Sequence, residues 1–120
     1  MSSQRKLSYF SSQEDVDASL LQEISESLGA TAAAKVKVGE LVKVHGAIRA
    51  LRVRPNKSVP MVEAELWDGS GFVTLIWLGR RSIRGITPGR AVIAQGRLSR
   101  GSSGQPTLFN PRYELLPVGD

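Results

Sequence analysis

The stretch Leu66-Trp67-Asp68-Gly69-Ser70-Gly71-Phe72-Val73-Thr74-Leu75-Ile76-Trp77 decides the fold. An apolar run meets Asp-Gly, crosses a four-residue turn and resumes as an alternating apolar run that ends in Trp. Asp-Gly between two such runs signals a β-hairpin, because glycine supplies the positive φ that the turn requires. Gly71, at the start of the second run, is read as the site of a bulge.

Strand texture continues on both sides. Residues 38–54 read as a long first strand, with Val42, Val44, Gly46 and Ile48 at alternating positions. Gly46 inside a strand suggests a bend where the sheet curls. Pro55-Asn56-Lys57-Ser58 is a turn. Residues 59–67 form the second strand, with Val62, Ala64 and Leu66 inward and Glu63, Glu65 and Trp67 outward. Residues 71–78 form the third, and Gly79 to Gly85 a short helical turn carrying Arg80, Arg81 and Arg84. Residues 90–98 form the fourth, with Val92, Ala94, Gly96 and Leu98 on one face. A loop rich in Gly and Ser, 100–106, leads to a last strand over 107–116. Pro111 interrupts that strand and belongs at an edge or bulge, since proline donates nothing to a ladder. Trp77 follows the inward Val73 and Leu75 and reads as core, and Tyr113 as structural.

Ahead of the strands the chain differs. Residues 1–13 read as disordered, and 14–29 as a helix. Glu14, Asp15 and Asp17 favour a helix N-terminus, and Val16, Leu20, Leu21, Ile24 and Leu28 make one apolar stripe. Gly29 is a C-terminal stop. The stripe packs on its own domain or meets another protein. Two regions result: a tail, 1–34, and a strand domain, 35–118.

Charge divides the same way. Residues 1–34 carry a net −3 and residues 35–118 a net +9, within a total of +5. A basic domain attracts polyanions, phosphate backbones first among them. With no cysteine and one histidine, His45, a Cys-based zinc site and disulfides are excluded. No Gly-x-Ser-x-Gly elbow occurs. Glu63 and Glu65 share a strand face but read as solvated residues flanked by cations, not as an acid–base pair. The reading is therefore a non-enzymatic protein without metal or cofactor. The first ten residues lack the apolar core of a secretory signal, and no apolar run approaches a membrane span, so a soluble cytoplasmic protein is expected.

Five strands with a short helical element between the third and fourth is the order of the oligonucleotide-binding (OB) fold, a Greek-key barrel. Several segments carry a closer resemblance: Val42-x-Val44-x-Gly46-x-Ile48, Glu65 to Gly71, Thr74 to Leu78, Pro88-Gly89-Arg90, Gln95-Gly96-Arg97 and Asn110-Pro111-Arg112-Tyr113. Over residues 38–116 the chain resembles the OB wedge domain of RecG-type branch-migration helicases and small stand-alone OB proteins. The helicase motor is missing, since no Gly-x-x-x-x-Gly-Lys-Ser/Thr loop occurs. The resemblance thus implies binding, to branched or forked DNA, in repair, recombination or replication.

OB-folds bind through the face of strands 2 and 3 and the loops joining strands 1–2 and 4–5. Arg49, Arg52, Arg54 and Lys57 run into the first of these loops, and Arg97 and Arg100 into the second. Arg80, Arg81 and Arg84 form a third cluster. Trp67 and Phe72 are the candidate base-stacking platforms. Single-stranded or forked DNA is the favoured partner, with RNA also admitted and no membrane expected. Glu63 and Glu65 stand on the same face, where carboxylates repel phosphates. Two further readings compete: a protein-interaction adaptor docking through the barrel or the N-terminal helix, and an acidic helix folded over the basic barrel in competition with nucleic acid.

Overall fold

Alternation along the strands becomes a closed sheet. The computed structural model describes residues 17–54 and 59–117. The readings for 1–16 and for the turn at 55–58, Lys57 included, lie outside the described residues. The strands are β1 (Leu41–Arg54), β2 (Met61–Trp67), β3 (Phe72–Leu78), β4 (Ala91–Arg100), β5 (Pro106–Phe109) and β6 (Arg112–Leu115). β1 pairs β2, β2 pairs β3, β3 pairs β5, β5 pairs β4, and β4 returns to β1. That circuit makes an all-β, barrel-like sheet. All pairs in it are antiparallel except β3–β5. The inward residues expected on the first four strands are buried there. Val44, Ile48, Ala64, Leu66, Val73, Leu75, Val92, Ala94 and Leu108 are fully enclosed.

The 14 residues of β1 show how the sheet curls. β1 is long enough to pair β4 through its first half and β2 through its second. At the changeover a side chain on Gly46 would collide with the backbone of Trp67, so close approach of β2 requires glycine there. The bulge falls at Arg49, where the register shifts between Ile48 and Ala50. It does not fall at Gly71: the β2–β3 register is unbroken from Trp67↔Phe72 to Met61↔Leu78. Gly71 instead closes the turn, its N–H donating to Asp68 Oδ1 at 3.1 Å.

Asp68 is the hub of that turn and is wholly buried. Its Oδ1 also accepts from Ser70 N (2.8 Å) and Ser70 Oγ (2.7 Å), and its Oδ2 from Ala33 N (2.6 Å). The last bond anchors a short 3-10 helix, Ala33–Lys35, whose Ala33 enters the core.

The last expected strand divides at Asn110-Pro111. Asn110 takes φ 48°, and its Oδ1 accepts from Leu78 N at 2.9 Å. β5 therefore stays in the circuit while β6 pairs β4 alone. Trp77 is core as expected: its Nε1 donates to Pro111 O at 3.3 Å, and its ring meets Tyr113 edge-on at 5.6 Å. The short helical turn expected between β3 and β4 is a loop of turns instead. Gly79 and Gly85 sit at φ 76° and 78°, which ends any right-handed helix, and Ile83 and Ile86 plug the core from it.

The N-terminal helix, α1, covers residues 17–27 of the described chain. It stops where Gly29 predicts: Gly29 has φ 72°, Ala30 N donates to Ser25 O, and Gly29 N to Glu26 O, a Schellman closure. Its docking face takes only part of the apolar stripe: Leu21 and Leu28 are half-buried on it, beside polar contacts. Ser25 is buried and hydrogen-bonded to His45 Nδ1 at 2.8 Å, and Gln22 Nε2 donates to Asp68 O at 2.6 Å. Ala18 lies against Gly69, where any side chain would strike its backbone. Leu20 and Ile24 remain 52% and 44% exposed. Burial pushes the His45 imidazole below its ordinary value of 6.5, with the Asp68 carboxylate opposing part of that shift.

Candidate nucleic-acid interface

The register of β1, β2, β3 and β5 builds a shallow groove on the outer sheet face. Three rows cross it. Trp67 stands beside Phe72; Ala50, Glu65, Thr74 and Thr107 form the next row; Arg52, Glu63, Ile76 and Phe109 the third. Arg54, Met61 and Leu78 follow at the far end. A cavity of ≈ 620 Å³ runs over this face, bounded by Arg52 and Arg54 on one bank and by Gly101, Ser102, Ser103 and Gln105 on the other.

The two banks differ chemically. The β1 bank carries three exposed guanidinium groups, because the bulge at Arg49 puts that residue and the outward Arg52 and Arg54 on one face. The 101–105 loop carries no charge. It is held by Gly101 N to Gln105 O (2.8 Å), Gly104 N to Gly101 O (2.9 Å) and Ser103 N to Gln105 Oε1 (3.1 Å). Between the banks the floor mixes Glu63, Glu65 and Thr74 with partly open rings, Phe72 50% and Phe109 44% exposed.

The cations are not all free. Glu63 Oε2 accepts from Arg52 Nη1 at 3.1 Å, and Arg54 Nε lies 3.4 Å from Glu63 Oε1. Of the two carboxylates expected to oppose phosphate, Glu63 is thus paired with the groove's own arginines, and Glu65 is not. Arg49 lies over the Trp67 ring, its guanidinium carbon 4.0 Å from the centroid. One face of that indole is therefore occupied by a cation, and Phe72 is the open platform.

Of the residues singled out from sequence, the structure brings Arg49, Arg52, Arg54, Trp67 and Phe72 together. Arg80, Arg81 and Arg84 are exposed on the β3–β4 loop and line neither cavity of this face. Arg97 Nη1 donates to Gly39 O at 2.5 Å, which ties it to the segment before β1 and away from the groove. Arg100 is exposed at the end of β4, opposite Pro106, beside the 101–105 loop. Sequence reading missed Met61, Thr74, Ile76, Gln105 and Phe109. The alternation Thr107-Leu108-Phe109, with Leu108 inward, was the available signal, masked by the break at Pro111. Among the described residues no cluster of three His, Cys, Asp or Glu is placed to hold a metal ion.

No protein-family model matches the chain, and no curated protein matches it. Among solved structures the chain is similar to one described as the structure of RecG bound to a three-way DNA junction. The TM-score is 0.55 and the sequence identity 24%, over 68% of this chain and 11% of that one. The likeness is one of fold, and this chain matches about a tenth of that protein's length. No helix among the described residues is long and apolar enough to cross a membrane.

Proposed function

We propose that this chain is a non-enzymatic, cytoplasmic nucleic-acid-binding module of OB type that grips single-stranded or forked DNA. The strand circuit, with β3 and β5 parallel and the rest antiparallel, supports the OB assignment. The fold similarity to a DNA-bound RecG supports a wedge-like role in repair, recombination or replication. The observation that carries the reading is the groove itself: three arginines on one bank, exposed Phe72 and Phe109 on the floor. Guanidinium groups pair with phosphates, and exposed rings stack on unpaired bases at roughly 1–3 kcal/mol per base.

The test is fluorescence anisotropy with labelled single-stranded, duplex and forked DNA and single-stranded RNA, at low and physiological salt. Micromolar or tighter binding that weakens steeply with salt is expected. Absence of binding to every probe at low salt would overturn the reading. The adaptor alternative rests on Leu20 and Ile24, exposed one turn apart on α1. Charge reversal of Arg52, Arg54 and Lys57 separates the two: it abolishes nucleic-acid binding and leaves a helix-borne interaction intact.

A further inference from the structure

Glu63 and Glu65 stand two residues apart on one face of β2, yet they are in opposite states. Both carboxylate oxygens of Glu63 face guanidinium groups, and its side chain is 15% exposed. No hydrogen bond or ion pair engages Glu65 among the described residues. Glu65 lies where the main groove meets a smaller hollow of ≈ 430 Å³ lined by Arg49, Glu65, Trp67 and Phe72.

That hollow holds an open aromatic platform, a cation and a carboxylate. An ionised carboxylate only accepts hydrogen bonds, and its two oxygens suit two adjacent N–H donors. Phe72 and Glu65 occupy diagonal cross-strand positions, about 7–8 Å apart on such a sheet. Glu65 is therefore within reach of the edge of a base stacked on Phe72. Guanine alone offers two neighbouring donors on its Watson–Crick edge, N1–H and the N2 amino group. Adenine and cytosine present one amino group beside an acceptor nitrogen. Thymine and uracil present one N–H between two carbonyl oxygens, which a carboxylate repels. In a duplex the guanine edge is already paired, so only an unpaired guanine can use the site.

We infer that this hollow is a base-reading subsite selective for unpaired guanine, with Glu65 accepting from its N1–H and N2–H, Phe72 stacking on the ring and Arg49 balancing the neighbouring charge. The inference rests on the proposed nucleic-acid function and adds to it a sequence preference. Glu63 has no such role, since both its oxygens already face the guanidinium groups of Arg52 and Arg54.

The experiment is anisotropy with a labelled oligothymidylate and with the same oligomer carrying one central deoxyguanosine, deoxyinosine, deoxyadenosine or deoxycytidine. The full chain should bind the deoxyguanosine oligomer on the order of tenfold more tightly than the oligothymidylate. Deoxyinosine, which lacks the N2 amino group, should lose most of that gain. Glu65→Gln should bring all five oligomers to similar affinity, with oligothymidylate bound as well as before or better. Equal binding of all five by the unsubstituted chain overturns the inference while leaving the proposed function standing. A guanine preference that survives in Glu65→Gln overturns it too. Binding of none of them counts against the proposed function itself, and the inference falls with it.

Discussion

Two carboxylates show how position sets the role of a side chain. Asp68 is buried and satisfies four donors, three from its own turn and one from Ala33. Replacing one acceptor oxygen by a donor amide leaves a buried N–H without a partner, at roughly 1–3 kcal/mol. Asp68→Asn should therefore lower the urea midpoint by an amount equivalent to about 2 kcal/mol, at unchanged denaturant slope. A shift too small to resolve would show that water or relaxation replaces the bond. Glu63 is the contrasting case. Its pairs with Arg52 and Arg54 involve guanidinium groups more than half exposed, so they contribute little stability. They do compete with phosphate for the same donors. Glu63→Gln should leave the melting temperature nearly unchanged and tighten single-strand binding several-fold, alike for every base. Weaker binding would mean that Glu63 holds the arginines in their productive orientation.

At the scale of elements, α1 shows both the reach and the limit of sequence reading. Its existence, and its end at Gly29, follow from periodicity and from a residue that tolerates positive φ. Its docking face does not, because the helix is seated through Ser25–His45 and Gln22–Asp68 and through Ala18 on Gly69. Of the apolar period among the described residues only Leu21 and Leu28 turn toward the barrel, and polar pairs and small-residue contacts add no apolar signal of their own. β2 was legible because one face is core and the other is not, and β3 because its run is apolar and buried on both faces. The segment 79–85 was misread because its two glycines at positive φ look, in sequence, like the ends of a helix. Phe109 escaped notice because the strand that carries it breaks one residue later. The α1 seat also makes stability depend on pH. The folded-state pKa of His45 lies below its ordinary 6.5, so near and below that pH the unfolded chain takes up the proton first. Stability contributed by neutral His45 is present above 6.5 and is lost as pH falls through it, levelling once the folded imidazole titrates. Urea midpoints should fall between about pH 7.5 and about pH 5.5, and His45→Gln should flatten that part of the profile. An unchanged slope in the variant would assign the effect to other groups.

Across the whole molecule, charge is organised by region: net −3 over residues 1–34 and +9 over 35–118. The described part of the acidic segment is seated on the β2–β3 turn and on β1, through Asp68, Gly69 and His45, and is absent from the cavity that Arg52 and Arg54 line. Its carboxylates therefore act on a bound strand only through the long-range field, which salt screens over about 10 Å at 0.1 M. The groove arginines, in contrast, would meet phosphates directly and release condensed counterions. If the three groove arginines and one flanking cation neutralise about four phosphates, the log–log salt slope for a single strand is near −3. Reversing Arg52 and Arg54 removes two of those contacts and should reduce the slope to about −1.5 while lowering affinity at every salt concentration. Glu65→Gln, which touches a base edge and no phosphate, should leave the slope where it was. A slope near zero in the unsubstituted chain would mean that binding is not carried by phosphates. An unchanged slope after reversal would move the phosphate contacts to Arg80, Arg81 and Arg84, which are exposed on the β3–β4 loop and line no part of the groove.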